Sequence, residues 1–289
     1  MEAFRRRVER QVLGLTGLAL GQLDLRSPPG DPGLFGPGSV CWQVHGDFTA
    51  MLIGGVRALL LQMLHPLALA GVWEHSNFRD DMLGRLRRTG QFVSGTTYGS
   101  TRDANWLIEK VRTIHLQVSG SVDGQPYAAS DPALLTWVHV AEMSSFLAAH
   151  LRYRDPLLSG QAQDQYYAEV ALVAERLGAR EVPRSRAEVE QYLQRLRPQL
   201  RCDERTHEVA RLLRAAPAPS QLARPVGQLM LNAGIGLLPP WAASMLALEQ
   251  SALQRGVVSL GLGCSTPLLR WAVRDGSQHR ARQRMRLGG

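Results

Sequence analysis

The sequence predicts an all-α fold, a single-domain multi-helix bundle over residues 1–289. Apolar residues recur three and four positions apart in long windows, which is the periodicity of helices. Strand signals are scarce, and helix-favouring Leu, Ala, Arg, Gln and Glu dominate these windows. The chain is 45% hydrophobic, so it can bury one large core.

Capping residues and breaks in the apolar periodicity predict the elements in order. An amphipathic helix is expected within residues 1–25, and the Pro- and Gly-rich segment 27–38 is expected to be a loop. The Asp131-Pro132 pair is a strong helix start, because Asp caps the helix and Pro occupies its first position. The expected helices span 49–64 (with a kink or boundary at Pro66), 83–97, 103–119, 131–152, 159–177, 185–196, 204–215, 220–235, 240–254 and 267–284, and 120–131 is expected to be a turn.

The net charge of +8 comes almost wholly from arginine, because Lys110 is the only lysine. We interpret the arginines as helix surfaces, and no aromatic-and-basic module indicates a nucleic-acid partner. The three cysteines lie far apart with no CxxC pair, so their spacing encodes neither a disulfide framework nor a zinc site. A reducing, cytoplasmic location is therefore expected.

Targeting signals are weak. The N-terminal arginines could be read as part of an export signal, but Glu9, Arg10 and Gln11 interrupt the apolar run that follows, which favours an amphipathic helix. No stretch reaches the roughly 18 uninterrupted apolar residues of a membrane span. The richest, 48–72, contains Arg57 and His65. We expect no transmembrane segment, and peripheral contact with a membrane stays open.

An inward-facing histidine is predicted on the helix that covers 103–119. Ile108, Val111 and His115 share one helical face, so His115 points toward the core. It is either a hydrogen-bonded core residue or the ligand of a haem, which needs an aliphatic pocket and one imidazole.

Two further histidines are candidates. His139 lies on an apolar face and is followed by Glu142, which reverses the Glu-x-x-His order of di-iron bundles. A core histidine oriented by its neighbour is the alternative. His65 precedes Pro66 at the end of the most apolar helix.

Arg85, Arg88 and Thr89 lie on one face of the helix over 83–97. They suit the anchoring of a carboxylate or the stabilisation of an oxygen-derived anion, and a solvated basic face is the alternative. Zinc-protease, α/β-hydrolase and nucleotide-loop motifs do not occur in the sequence.

These residues, taken together, resemble a known family. The matching runs are Gly33 to Asp47, Gly54 to His65-Pro66, His75 to Asp80, Arg85-Leu-Arg-Arg-Thr89, Ile114-His115 and Trp137-Val-His139. They look like the bacterial branch of the rubber-oxygenase (latex-clearing protein) superfamily, to which the fungal oxygenase of mycophenolic acid biosynthesis also belongs. The resemblance covers roughly residues 33–178.

The resemblance implies a somewhat globin-like helical protein that binds one haem b through a helical histidine and cleaves carbon–carbon double bonds with dioxygen. His115 resembles the proximal iron ligand, and Arg85 and Thr89 resemble the distal pair. Arg88 stands where the family has a lysine, and its guanidinium stays protonated and is a poor metal donor. A lipid-like or terpenoid substrate fits better than extracellular rubber, because no convincing export signal precedes the domain.

The sequence thus predicts a haem b oxygenase acting on an apolar unsaturated substrate. The expected catalytic residues are Arg85, Arg88 and Thr89, and the expected haem contacts are His115, Ile108, Val111, His65 and His139. We rank His115 first as iron ligand, His65 second and His139 third. The alternatives are a non-catalytic haem or lipid carrier and a haem-free protein with structural histidines. The oligomeric state stays open.

Overall fold

The computed structural model describes residues 2, 5, 9, 23–216, 221 and 223–287, and in this part the chain is mainly helical. The helices are α1 Val40–His45, α2 Phe48–Gln62, α3 Pro66–His75, α4 Met82–Tyr98, α5 Thr101–Leu116, α6 Pro132–Tyr153, α7 Gly160–Leu177, α8 Arg186–Leu196, α9 Glu204–Ala215, α10 Arg224–Gly236, α11 Pro240–Met245, α12 Ala252–Ala272 and α13 Ser277–Arg286. The predicted all-α, single-domain class is confirmed. The helix predicted within 1–25 lies almost wholly outside the described residues.

Helices α2 and α6 cross at the centre of the core. Gly54 on α2 permits the crossing, because a Cβ atom there would come within 2.9 Å of the Phe146 ring and 3.0 Å of its Cα atom on α6. Helix α10 packs on the neighbouring side of α2, where a Cβ atom on Gly234 would come within 2.6 Å of the Val56 side chain. Glycines at these contacts let the three helices approach closely.

Local signals predicted most of the helix boundaries. The Asp131 side chain accepts hydrogen bonds from the backbone N–H groups of Ala133 and Leu134, and Pro132 occupies the first turn of α6. The chain bends by 105° between α2 and α3, at the boundary predicted for Pro66. Helix α9 begins and ends as predicted.

Three predictions of local structure were wrong. Residues predicted as a turn form a hairpin, in which β1 Ser119–Val122 pairs antiparallel with β2 Gln125–Ala128. The predicted helix 240–254 ends at Met245 as α11, and the helix predicted to begin at Pro267 starts instead at Ala252. Ser251 caps α12 through a capping box with Gln254, and buried residues on both sides of Pro267 hold the helix together across it. Neither the short α1 nor α3 was predicted, and the predicted helix 267–284 is broken between Ala272 and Ser277.

Candidate active-site cavity

A cavity of about 1160 Å³ lies between α1, α2, α4 and α6 on one side and α10, α12 and α13 on the other. Its volume slightly exceeds the usual range of ligand sites, about 300–1,000 Å³. One part of its wall is aliphatic and aromatic: Phe48, Met51, Leu52, Val56, Leu59, Leu83, Leu86, Val93, Phe146, Leu213, Met230 and Leu231. The cavity can therefore bury a large apolar molecule.

Six arginines but only three carboxyl groups line the same cavity. The arginines are Arg85, Arg154, Arg224, Arg270, Arg274 and Arg282, and the carboxyl groups belong to Asp47, Glu142 and Asp155. Arg270 is engaged, since its Nε lies 2.6 Å from Asp47 Oδ2 and its Nη2 donates to the Tyr153 carbonyl. Among the described residues, no carboxylate pairs with Arg154, Arg224, Arg274 or Arg282. This excess of positive charge favours a ligand with an acid group.

Two residues of the predicted catalytic set lie in the cavity wall. Arg85 and Thr89 are one helical turn apart on α4 and both line the cavity. Arg85 Nη1 donates to Ser76 Oγ at 3.1 Å. Burial, followed by the charge of Arg88, lowers the pKa of the Arg85 guanidinium to about 10. Arg85 therefore remains a cation at neutral pH although it is largely removed from solvent.

Arg88 points away from the cavity. Its Nη2 donates to Asn77 Oδ1 at 3.0 Å, and its Nη1 lies 3.5 Å from Asp81 Oδ2. More than half of its side chain is exposed. The structure thus separates Arg88 from Arg85 and Thr89, with which the sequence grouped it.

His115 lies near the C-terminal end of α5, on the same face as the fully buried Ile108 and the half-buried Val111. Its Nδ1 atom is buried and has no hydrogen-bond partner among the described residues. Burial lowers the pKa of the imidazole, which favours the neutral form that can donate to a metal. The ring is not part of the wall of the large cavity.

His65 and His139 also lie away from that wall. His65 is the residue before α3 and lines a separate pocket beside the hairpin, with its ring centroid 6.0 Å from that of Trp137. His139 is buried on α6. Burial lowers the pKa of both rings to about 4, so both are neutral at physiological pH.

Sequence reasoning missed the three histidines that line the cavity, His45, His150 and His279. His45 lies on the unpredicted α1, so its direction could not be inferred. On α6 a signal was available: Glu142, Phe146 and His150 are spaced by four and form one stripe on the cavity wall. Glu142 was predicted to act with His139, but of these two residues only Glu142 lines the cavity.

Of the two titratable α6 side chains that face the cavity, His150 is buried and Glu142 is half-buried. Burial raises the pKa of Glu142 to about 7. His150 is 1% exposed, and neither of its ring nitrogens has a hydrogen-bond partner within the described part of the chain. Burial lowers the pKa of the ring, and the nearby Val44 backbone acts in the opposite direction. Buried titratable groups of this kind, facing a cavity, are typical of functional sites.

The donor set suits a haem better than a metal held by side chains alone. Within the described ranges, no three His, Cys, Asp or Glu side chains converge to hold a metal ion, and this includes the surroundings of His139 and Glu142. A haem supplies four nitrogen ligands of its own, so the protein has to provide only an apolar pocket and one axial donor. His115 offers a buried, unpartnered Nδ1 as the axial donor but lies outside the wall of the large cavity, whereas His150, with both ring nitrogens unpartnered among the described residues, lies in that wall.

A family model described as "ER-bound oxygenase mpaB/B'/Rubber oxygenase, catalytic domain" matches residues 42–275. The match reaches far beyond residue 178, where the resemblance seen in the sequence became diffuse, and extends past the end of α12. It therefore includes most of the cavity wall. No curated protein and no solved structure matches the chain.

Proposed function

The chain belongs to the family of mpaB-type and rubber oxygenase catalytic domains, and from this we propose that it is a haem b-dependent oxygenase acting on a carbon–carbon double bond of an apolar, lipid-like or isoprenoid substrate. The observation that carries the proposal is the position of Arg85 and Thr89 in the wall of a large, mainly apolar cavity. The family makes the protein an oxygenase-type enzyme that uses dioxygen and a small-molecule substrate.

We assign His115 as the residue that would hold the haem iron. Its buried Nδ1 lacks a partner in the described part of the chain, and burial lowers the pKa of the ring, which favours the neutral form. Ile108 and Val111, on the same face of α5, would contact the macrocycle. When bound, haem supplies the redox chemistry that activates dioxygen.

The chain's own residues then have separable tasks. The Arg85 guanidinium, largely desolvated, stabilises negative charge that develops on oxygen, and the Thr89 hydroxyl can donate a hydrogen bond beside it. The apolar wall holds the substrate chain and excludes water. Glu142, with a pKa of about 7, can take up or release a proton within the cavity at physiological pH.

The arginines of the wall favour a particular substrate class. An apolar molecule with an acid group at one end would place its chain against the aliphatic residues and its charge near the arginines that lack a carboxylate partner. We therefore propose an unsaturated long-chain or isoprenoid acid as substrate. The three cysteines, none of them in a disulfide, are compatible with the reducing cytoplasmic location that we also propose.

The test combines a spectrum with mutagenesis. The purified protein, expressed with a haem precursor, should show the intense near-ultraviolet haem band, and oxygen uptake should follow addition of an unsaturated long-chain acid. His115→Ala should abolish tight haem binding, measured as the haem-to-protein ratio by pyridine hemochrome. His150→Ala, His65→Ala and His139→Ala serve as matched controls that should retain haem.

Different outcomes exclude different parts of the proposal. A protein that stays colourless and takes up no added hemin contradicts the haem assignment. Loss of haem in His150→Ala but not in His115→Ala would identify His150, in the cavity wall, as the iron ligand. A full haem spectrum without substrate-dependent oxygen uptake identifies a haem or lipid carrier instead of an enzyme.

A further inference from the structure

Helix α12 is apolar, yet the rest of the protein leaves most of it uncovered. It belongs to a helical stretch, Ala252–Arg286, that is long and apolar enough to cross a membrane, and only 28% of the most apolar window of this stretch is buried. The exposed fractions are 78% for Leu253, 60% for Val257, 72% for Leu260 and 48% for Leu268. Large apolar side chains are normally exposed singly, whereas these four share one helix.

The four side chains form one face. At 100° per residue, Leu253, Val257, Leu260 and Leu268 project within an arc of about 80°. We call this face the α12 stripe. The opposite side of the helix, with Val258, Leu262, Thr266 and Leu269, is buried against the body of the protein. Because that buried side runs along the helix as far as Ala272, α12 cannot leave the body to span a bilayer without exposing part of the core.

Positive charge lies beyond the C-terminal end of the α12 stripe. No charged residue occurs from Gly256 to Leu269, and Arg255, just before this segment, projects about 180° away from the centre of the stripe. After it, residues 270–287 contain six arginines and a single carboxylate residue, Asp275. Of these arginines, Arg274, Arg282 and Arg286 are exposed. An apolar helix face with exposed arginines beyond its end suits the interface of an anionic membrane.

We propose that the α12 stripe is a docking surface for an anionic lipid bilayer, on which α12 lies parallel to the membrane plane. Charge complementarity selects this occupant over a second copy of the chain. A second copy joined through the stripe would offer these arginines no carboxylate residue besides Asp275 in 251–287, whereas lipid phosphates would neutralise them.

Docking on this face would also bring the cavity close to the bilayer. Arg270, at the end of α12, and Val273 and Arg274, just beyond it, belong to the cavity wall. A lipid-like substrate would therefore have a short path from the bilayer to the site. This link rests on the proposed function, whereas the docking itself does not.

Vesicle co-sedimentation tests the docking independently of haem and activity. The full-length protein should bind vesicles of phosphatidylcholine mixed with phosphatidylglycerol and bind pure phosphatidylcholine more weakly. The triple variant L253Q/V257Q/L260Q should lower binding at least about ten-fold, because it removes three buried apolar groups from the bound state. Its thermal melt should not fall, because all three positions are exposed.

Matched variants separate the two parts of the surface. Leu260→Gln should weaken binding measurably, whereas Leu157→Gln, at a position that is 89% exposed far from α12 in the sequence, should not. Arg286→Gln should lower binding to anionic vesicles without changing binding to neutral ones.

Three outcomes would overturn the proposal. The first is no binding to either vesicle. The second is an equal loss of binding in Leu157→Gln and Leu260→Gln. The third is a concentration-dependent dimer, seen by light scattering, that the triple variant disrupts while vesicle binding is unaffected. That last result would assign the stripe to a second copy of the chain.

Discussion

The Nε2 atom of His45 lies 2.9 Å from the hydroxyl oxygen of Tyr166, and the opposite ring nitrogen, Nδ1, lies 2.9 Å from Thr97 Oγ1. The imidazole thereby joins α1, α4 and α7 beside the cavity. Burial, followed by the charges of His150 and His139, lowers its pKa to about 3, so the ring is neutral at physiological pH. A neutral ring has one N–H and one acceptor nitrogen, which matches two hydroxyl partners.

The variant Tyr166→Phe tests how much the His45–Tyr166 hydrogen bond stabilises the fold. The variant leaves a buried ring nitrogen without its partner, which should lower the free energy of unfolding by about 1–3 kcal/mol. Tyr167→Phe is the matched control: the neighbouring tyrosine is also buried, and its hydroxyl has no described hydrogen bond, so the change should stay within about 0.5 kcal/mol. Equal denaturant midpoints for the two variants would contradict the assigned role of the His45–Tyr166 bond.

Glu142 should give the protein a distinct pH dependence of stability. Its pKa is raised from the usual 4.5 to about 7 by burial, so between these values the folded state holds a proton that the unfolded state has lost. Stability from this group is complete below about pH 4.5 and decreases as the pH rises to about 7. The total effect is on the order of 3 kcal/mol.

The comparison with Glu142→Gln isolates this effect. The wild-type protein also contains buried histidines with lowered pKa values, which act in the opposite sense below about pH 6.5. The difference between variant and wild type removes their contribution. Glu142→Gln should therefore be more stable than wild type at pH 8 and nearly equal to it at pH 5, as measured by thermal melts. A difference independent of pH would show that the carboxyl is already ionised in the folded protein.

Local signals predicted the helices well, because caps and apolar periodicity are properties of short segments. Asp131 and Pro132 define the start of α6 wherever the helix packs. Pro267 shows the limit of this reasoning: its local preference is to begin a helix, but packing of Val258 and Leu269 on either side keeps α12 continuous. The hairpin after α5 depends on pairing between two strands across a turn, and the polar sequence of this segment does not indicate that pairing.

The cavity could not be predicted in the same way, since it forms where distant segments meet. Arg85 and Thr89 were recognised as one helical face, but their separation from Arg88 depends on where Asn77 and Asp81 place their side chains. The opposite wall comes from α10, α12 and α13, which carried no recognised motif. The exposure of α12 is likewise invisible until its packing is known.

The separation of Arg88 from Arg85 gives a matched pair of variants. Arg85→Gln and Thr89→Val should each lower oxygen-dependent turnover by on the order of 100-fold, the usual effect of removing a preorganised donor. Haem content should stay nearly unchanged. Arg88→Gln, on the same helix but outside the cavity wall, should retain activity within a few-fold. Equal losses in Arg85→Gln and Arg88→Gln would indicate a general effect of α4 charge.

The excess of arginines in the cavity predicts a preference for acids over alcohols. In fluorescence displacement on the haem-loaded protein, a long-chain unsaturated acid should bind at least about ten-fold more tightly than the alcohol with the same chain, because a charge-assisted hydrogen bond contributes about 1.5–3 kcal/mol. Arg274→Gln and Arg154→Gln, combined, should reduce this preference without changing the affinity for the alcohol. Arg195→Gln, an exposed arginine outside the cavity wall, is the control. Since haem also carries carboxylates, the same variants are tested for hemin and hemin dimethyl ester. A preference for hemin over its ester that disappears in the double variant, with acid and alcohol bound equally, would assign the arginines to the propionates and not to the substrate.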